Sequence, residues 1–239
     1  GYTLEGDNAH IALRSFDVFS VNPPLVGMPS TSGNEVAGVS AFHPGPMQFV
    51  ILAPFYAVSG WSTWGIAVGS LFINLGLLGI GLWAAWRIDS PWVTRAVVTA
   101  FAVVAVVLQF AWFSAWNPYP LCMGVVTLVV LLLGIITGQR GWWPIALIVG
   151  SLAIQVHLAG ILLIVPLLVV ALVLTVRFGW AARPSSKELL VAAAVVVACW
   201  MLPVWDVIVN WPGNLGAILE YAVGSQSSSG DNRDSRIPD

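Results

Sequence analysis

Residues 142–178 read WWPIALIVGSLAIQVHLAGILLIVPLLVVALVLTVRF. As a single helix this stretch would be roughly 54 Å long at 1.5 Å per residue, against a hydrocarbon core about 30 Å thick. It therefore has to break. Its one polar interruption, Gln155-Val156-His157-Leu158-Ala159-Gly160, lies near the middle. The reading is two helices, about 143–154 and 160–176, meeting at a polar turn. The first is too short to cross a bilayer, so the turn sits at membrane depth. Irregular backbone survives there only inside protein or against a wet cavity.

Working outward, the whole chain has this character. Of 239 residues, 58% are hydrophobic and 8% charged, where a soluble domain carries about 25% charged residues. So little charge does not cover a water-facing surface, and the chain reads as all-α and polytopic in a membrane. The net charge of −2, with nine Lys and Arg scattered along the chain, excludes nucleic acid as a partner. Cys122 and Cys199 both lie in apolar runs, which excludes a disulfide-stapled secreted domain.

Further runs long enough to span are about 65–86, 94–114, 121–138 and 189–205. With the broken pair they make six membrane helices. The expected organisation is a polar, Gly/Pro/Ser-rich catalytic-type loop over 1–46, an interfacial helix over 47–60, a membrane domain over 61–222 and a disordered polar tail over 223–239. The chain opens on Gly1 in polar sequence and reads as a fragment that follows an earlier span.

Between residues 47 and 222 the six basic residues are Arg87, Arg95, Arg140, Arg177, Arg183 and Lys187. They fall in or beside loops 87–93, 139–142 and 177–188, and the alternate connections have none. The positive-inside rule makes the basic loops cytoplasmic. Residues 1–46 are then extracytoplasmic, in a plasma membrane, and Asp7, Arg14, Asp17, His43, Asn117, His157, Asp206 and Asn214 share the external half.

Several of these residues suit chemistry. A carboxylate at a membrane surface, such as Asp7 in Glu5-Gly6-Asp7, can take a proton from an acceptor hydroxyl while a lipid phosphate departs. Arg14, seven residues on, can pair with that phosphate, and Glu5 lies beside the same site. His43, in His43-Pro44-Gly45-Pro46, can bind phosphate or orient the carboxylate. His157 is an ionisable group at membrane depth, a candidate site by default. Asn117, in the rigid turn Trp116-Asn117-Pro118-Tyr119-Pro120, and Asp206, directly after a span, are candidates for holding substrate. Each also has a plain reading: solvated loop charges, a hydrogen-bonded neutral imidazole, aromatic belt anchors, a helix-end carboxylate in water. There is no Walker A loop, HExxH, CxxC or GxSxG. The three His lie far apart in sequence, so no metal-ligand spacing is present, and a divalent metal cofactor stays open.

Taken together, Glu5-Gly6-Asp7, Arg14, His43-Pro44-Gly45-Pro46 before a short helix, the Trp-Asn-Pro-Tyr-Pro turn, the Gln-Val-His-Leu turn and Trp211-Pro212-Gly213-Asn214-Leu215 resemble the GT-C superfamily of membrane glycosyltransferases. The branch is that of bacterial protein mannosyltransferases and aminoarabinose-transferase-like proteins, whose loop ends in a His-Pro-Pro-Leu-like motif. The likeness covers roughly residues 1–215. It implies transfer of a sugar from a polyprenyl-phosphate donor to a lipid, glycan or protein acceptor on the external face. Asp7 then matches the catalytic base, and Arg14 and His43 match positions near the donor phosphate. Two other readings stay open: a transporter or lipid-handling protein built on the broken helix, and a structural membrane protein whose loop binds a partner.

Overall fold

The computed structural model describes residues 4–30, 41–107, 109, 112–178 and 184–228. Among these the chain is all-helical, with helices α1 (Gly6–Asp17), α2 (Met47–Val58), α3 (Thr63–Ile88), α4 (Pro91–Val107), α5 (Pro118–Ile136), α6 (Trp143–Val156), α7 (Ala159–Phe178), α8 (Ser186–Val209) and α9 (Gly213–Ser228). Four of them, α3, α5, α7 and α8, are long and apolar enough to cross a membrane. The protein is an all-α polytopic membrane protein.

Helix α5 is the centre of the bundle and packs against α3, α4, α6 and α7. Its Met123, Leu128, Leu131 and Ile135 are fully buried, alongside Ile66 of α3, Phe49 and Leu52 of α2, and Ile164 of α7. In lipid, apolar contact alone gives helices little reason to associate, so close packing and buried polar bonds matter more. Phe101 of α4 packs against Gly81 of α3, and Trp142 against Gly134 of α5. Thr127 donates to the Leu77 carbonyl at 2.9 Å, and Trp200 Nε1 donates to Ser151 Oγ at 3.0 Å. The outer faces of α7 and α8 remain uncovered, with Leu162, Val169, Val170, Val197 and Ile208 exposed.

The expected break occurs where the polar interruption stands: α6 ends at Val156, His157 is extended and α7 begins at Ala159. The basic connections meet at one end, where Gln139 donates to the Arg87 carbonyl and the Gly141 N–H donates to Glu188. Helix α5 runs from that end to Asn117, about 28 Å away at 1.5 Å per residue. Arg183 lies outside the described residues.

Four expectations need correction. The 1–46 segment is not loop throughout: it holds α1, whose Ile11, Ala12 and Ser15 are buried, and α1 packs on α2. Residues 27–30 also pair antiparallel with 41–43 through Ser30 N–H to Ala41 O (2.8 Å) and His43 N–H to Met28 O (2.7 Å). The span expected over 94–114 is helical over Pro91–Val107, 17 residues, and residues 108, 110 and 111 lie outside the described set. Asp206 is not a residue beyond a span but sits within α8 and is buried. The tail expected to be disordered from 223 is helical to Ser228, because α9 starts from an anchored turn at Gly213; residues 229–239 lie outside the described set.

Candidate functional site

Breaking a membrane helix frees carbonyls at the end of one half and N–H groups at the start of the other, and each must find a partner. At the α6–α7 break the Gly160 and Ile161 N–H groups turn back to the His157 and Leu158 carbonyls, and side chains take three further groups. Asn117 Nδ2 donates to the Val156 carbonyl at 2.9 Å. The Leu158 N–H donates to His43 Nδ1 at 3.3 Å, and the Ala159 N–H to His157 Nδ1 at 3.1 Å. The two imidazoles lie against each other with centroids 4.7 Å apart. Accepting at Nδ1 fixes their tautomer: a neutral ring then carries its proton on Nε2. Burial pushes the His43 imidazole down to about 4, with His157 beside it acting in the same direction. His43 is therefore neutral across the physiological range.

These groups face a cavity of about 170 Å³ lined by Asp7, Met28, Pro29, Ser30, His43, Trp116, Asn117, Pro118 and His157. Four stretches of chain far apart in sequence meet there. Asp7, in the first turn of α1, accepts a hydrogen bond from Trp116 Nε1 at 2.9 Å, and Ser114 donates to Asn8 at 3.2 Å. These bonds fasten α1 to the turn that opens α5. Asn117 is buried, and its Oδ1 has no hydrogen-bond partner.

Of the sequence-predicted residues, Asp7, His43, Asn117 and His157 come together at this cavity. Glu5 is exposed at the start of α1, away from the lining. Arg14 is ion-paired with Asp17, Nη1 to Oδ2 at 2.8 Å, and is not part of the lining. Seven residues at 100° each bring Arg14 back to the Asp7 face of α1, about 10 Å along the axis. Asp206 does not reach the cavity. Its Oδ1 accepts from Asn210 Nδ2 (2.9 Å) and its Oδ2 from the Asn214 N–H (2.7 Å). Asn214 in turn binds Phe42 N–H through Oδ1 (2.8 Å) and the Phe42 and His43 carbonyls through Nδ2 (3.1 and 3.2 Å). The Asp206–Asn214 pair thus holds the backbone that carries His43.

The sequence offers Trp116 as an aromatic belt anchor or a sugar platform; its indole N–H on Asp7 depends on how α1 docks. In the sequence Gln155 belongs to the break and is a candidate hydrogen-bond partner for a neutral His157; His157 Nδ1 instead accepts from the Ala159 N–H. Gln155 is fully buried and joins two segments, donating to the Cys199 carbonyl at 2.7 Å and accepting from the Met47 N–H at 3.3 Å. Met28, Pro29 and Ser30 gave no signal. Among the described residues no three His, Cys, Asp or Glu side chains group closely enough to hold a metal ion. Compared with known proteins, the chain matches no family model, no curated protein and no solved structure.

Proposed function

We propose that the chain is a GT-C-like, inverting glycosyltransferase that uses a polyprenyl-phosphate sugar. The observation that carries this reading is the cavity in which Asp7 meets His43, Asn117 and His157, with Trp116 holding one carboxylate oxygen. Asp7 removes the proton of an acceptor hydroxyl. The hydroxyl oxygen attacks the anomeric carbon, the bond from that carbon to the phosphate oxygen breaks, and polyprenyl phosphate leaves. Arg14 meets that phosphate by exchanging Asp17 for it. In this reading the cavity opens on the extracytoplasmic face of the plasma membrane, and the basic loops at the far end of the bundle support that orientation by the positive-inside rule. An apolar groove of about 1060 Å³, bordered by Val21, Leu25, Trp200, Trp205 and Ile208, offers a lipid tail a surface.

The test is sugar transfer by protein in nanodiscs supplied with polyprenyl-phosphate sugars. Asp7→Asn is expected to abolish turnover while leaving the melting temperature unchanged; undiminished turnover would sink the assignment.

A second reading, a non-catalytic transporter or lipid-handling protein, is favoured by the helix break itself, since interrupted helices also line transport sites. There His157 and not Asp7 is indispensable. A His157→Ala protein that still moves its substrate would count against it.

A further inference from the structure

We infer that α1 lies in the plane of the membrane at the cavity end of the bundle, with Leu13, Phe16 and the following Phe19 seated among the headgroups and upper acyl chains of zwitterionic lipids. The inference does not rest on the transferase reading; it holds equally for a protein that handles lipid without chemistry.

The orientation comes from how the two ends of α1 are held. In its first turn Asp7 accepts from Trp116 Nε1 at 2.9 Å, and Ser114 donates to Asn8 at 3.2 Å. Trp116 stands two residues before α5. In its last turn the Phe16 ring meets Trp61 edge to face, centroids 4.6 Å apart, and Trp61 stands two residues before α3. Helices α3 and α5 are both long and apolar enough to span, and they pack against each other. Both begin at this end, since Arg87 near the close of α3 meets Gln139 just beyond α5. Asp7 and Phe16 are about 14 Å apart along α1 at 1.5 Å per residue. A rod fastened at both ends to the tops of two neighbouring spans lies across them, at the level where those spans leave the hydrocarbon.

The residues of α1 are sorted for that position. Ile11, Ala12 and Ser15 are buried. His10, Arg14 and Asp17 form a polar stripe at i, i+4 and i+7, and Ala9, Leu13 and Phe16 form an apolar stripe at the same spacing. Leu13 is 58% exposed and Phe19 61%. Leu13 and Phe16 border an open groove of about 530 Å³ against Tyr56 and Trp61. Trp61 also meets Tyr56 at 5.3 Å and Phe19 at 6.4 Å, so four aromatic rings gather at the end of a span, the level such side chains favour in a bilayer. Val58, Trp64 and Val68, exposed on α2 and α3, carry apolar surface from there onto the spanning helix.

Charge selects the lipid. Helices that lie in the interface commonly bring Lys and Arg to anionic headgroups. Here the carboxylates Glu5, Asp7 and Asp17 stand against Arg14 alone, and Asp17 holds it. Apolar burial therefore does the seating, and zwitterionic lipid suffices. Because Asp7 belongs to the same helix, the lipid also sets the height of that carboxylate above the membrane.

The experiment places nitroxide labels on the full chain in phosphatidylcholine nanodiscs, in a background with Cys122 and Cys199 replaced by Ala. Leu13→Cys and Phe19→Cys are labelled in separate proteins, so one that fails to fold leaves the other as the test. His10→Cys is the water reference and Leu162→Cys, exposed on α7, the lipid reference. Collisions with oxygen, which concentrates in lipid, and with a water-soluble nickel chelate report depth; circular dichroism checks folding. The expected result is that Leu13 and Phe19 labels prefer oxygen, about 5–10 Å into the headgroup–acyl boundary, while the His10 label prefers nickel, and that adding phosphatidylglycerol leaves the depth unchanged. Nickel preference at either folded site would put this face in water and overturn the proposal. Shielding from both reagents would mean that protein covers it, and insertion only with phosphatidylglycerol would mean that charge does the recognition; each overturns it too.

Discussion

Gly45 lies directly against the carboxamide of Gln155: a Cβ at residue 45 would run into Oε1, Cδ and Cγ of that side chain. Gln155 meanwhile accepts from the Met47 N–H and donates to the Cys199 carbonyl. The glycine of His-Pro-Gly-Pro is thus where the α1–α2 connection presses on the α6–α7 break. Gly45→Ala should displace Gln155 and destabilise the protein by about 1–3 kcal/mol, the usual cost of overpacking. In the Gln155→Ala background the same change should cost less, with a coupling of about 0.5–3 kcal/mol. Thermal unfolding in nanodiscs measures both, and an unchanged Tm for Gly45→Ala contradicts this packing.

Trp116 fixes the orientation of Asp7 through one hydrogen bond across 109 residues of sequence. Trp116→Phe keeps an aromatic ring and loses the donor. If Asp7 is the base, kcat for sugar transfer should fall about tenfold, near 1.4 kcal/mol, with KM little changed, because the bond positions the carboxylate and does not bind substrate. Steady-state transfer kinetics check this, and a rise in KM at constant kcat would place Trp116 on the substrate instead.

What the sequence made legible follows from length and period. The break at 155–160 was readable because a 37-residue apolar run cannot fit a bilayer unbroken. The short helix after Pro46 and the spans at α3, α5, α7 and α8 were readable from continuous hydropathy. Helix α1 was not, because its apolar residues Ile11, Ala12, Leu13 and Phe16 are interleaved with Asp7, Asn8, His10 and Arg14 in Gly- and Pro-rich surroundings. Helix α9 was hidden by its small, polar composition, and its start depends on a turn in which Gly213 adopts positive φ beside Asp206. The side of the bundle carrying Asp7, His43, Asn117 and His157 was legible from loop alternation. Their meeting in one cavity, and the pairing of Arg14 with Asp17, were not, since both are set by how α1 and the 41–46 segment dock.

Burial lowers the His43 pKa from 6.5 to about 4, which fixes the sign of a pH effect. Above pH 6.5 the ring is neutral in both folded and unfolded chains and contributes no pH dependence. As pH falls from 6.5 towards 4, the unfolded chain takes up a proton that the folded protein refuses, so stability declines. The loss reaches about 3 kcal/mol and levels off below pH 4. In His43→Gln this part of the decline should vanish. Melting curves of both proteins across that window check it; parallel curves would mean that His43 titrates normally.

Asp206 stood out in the sequence as the acidic residue at the end of a span, yet the fold uses it internally. Both carboxylate oxygens are occupied, by Asn210 Nδ2 and the Asn214 N–H, and a carboxylate at the start of α9 also meets the positive end of that helix. Asp206→Ala should leave the buried Asn214 N–H without its acceptor, at a cost of about 1–3 kcal/mol. The consequence should appear far away in sequence. Asn214 Oδ1 accepts the Phe42 N–H, and Asn214 Nδ2 binds the Phe42 and His43 carbonyls, so loosening Asn214 releases the backbone carrying His43. Hydrogen exchange of the Phe42 amide should therefore quicken in Asp206→Ala. A residue that served a ligand would behave otherwise: its loss would weaken binding and leave Phe42 as protected as before.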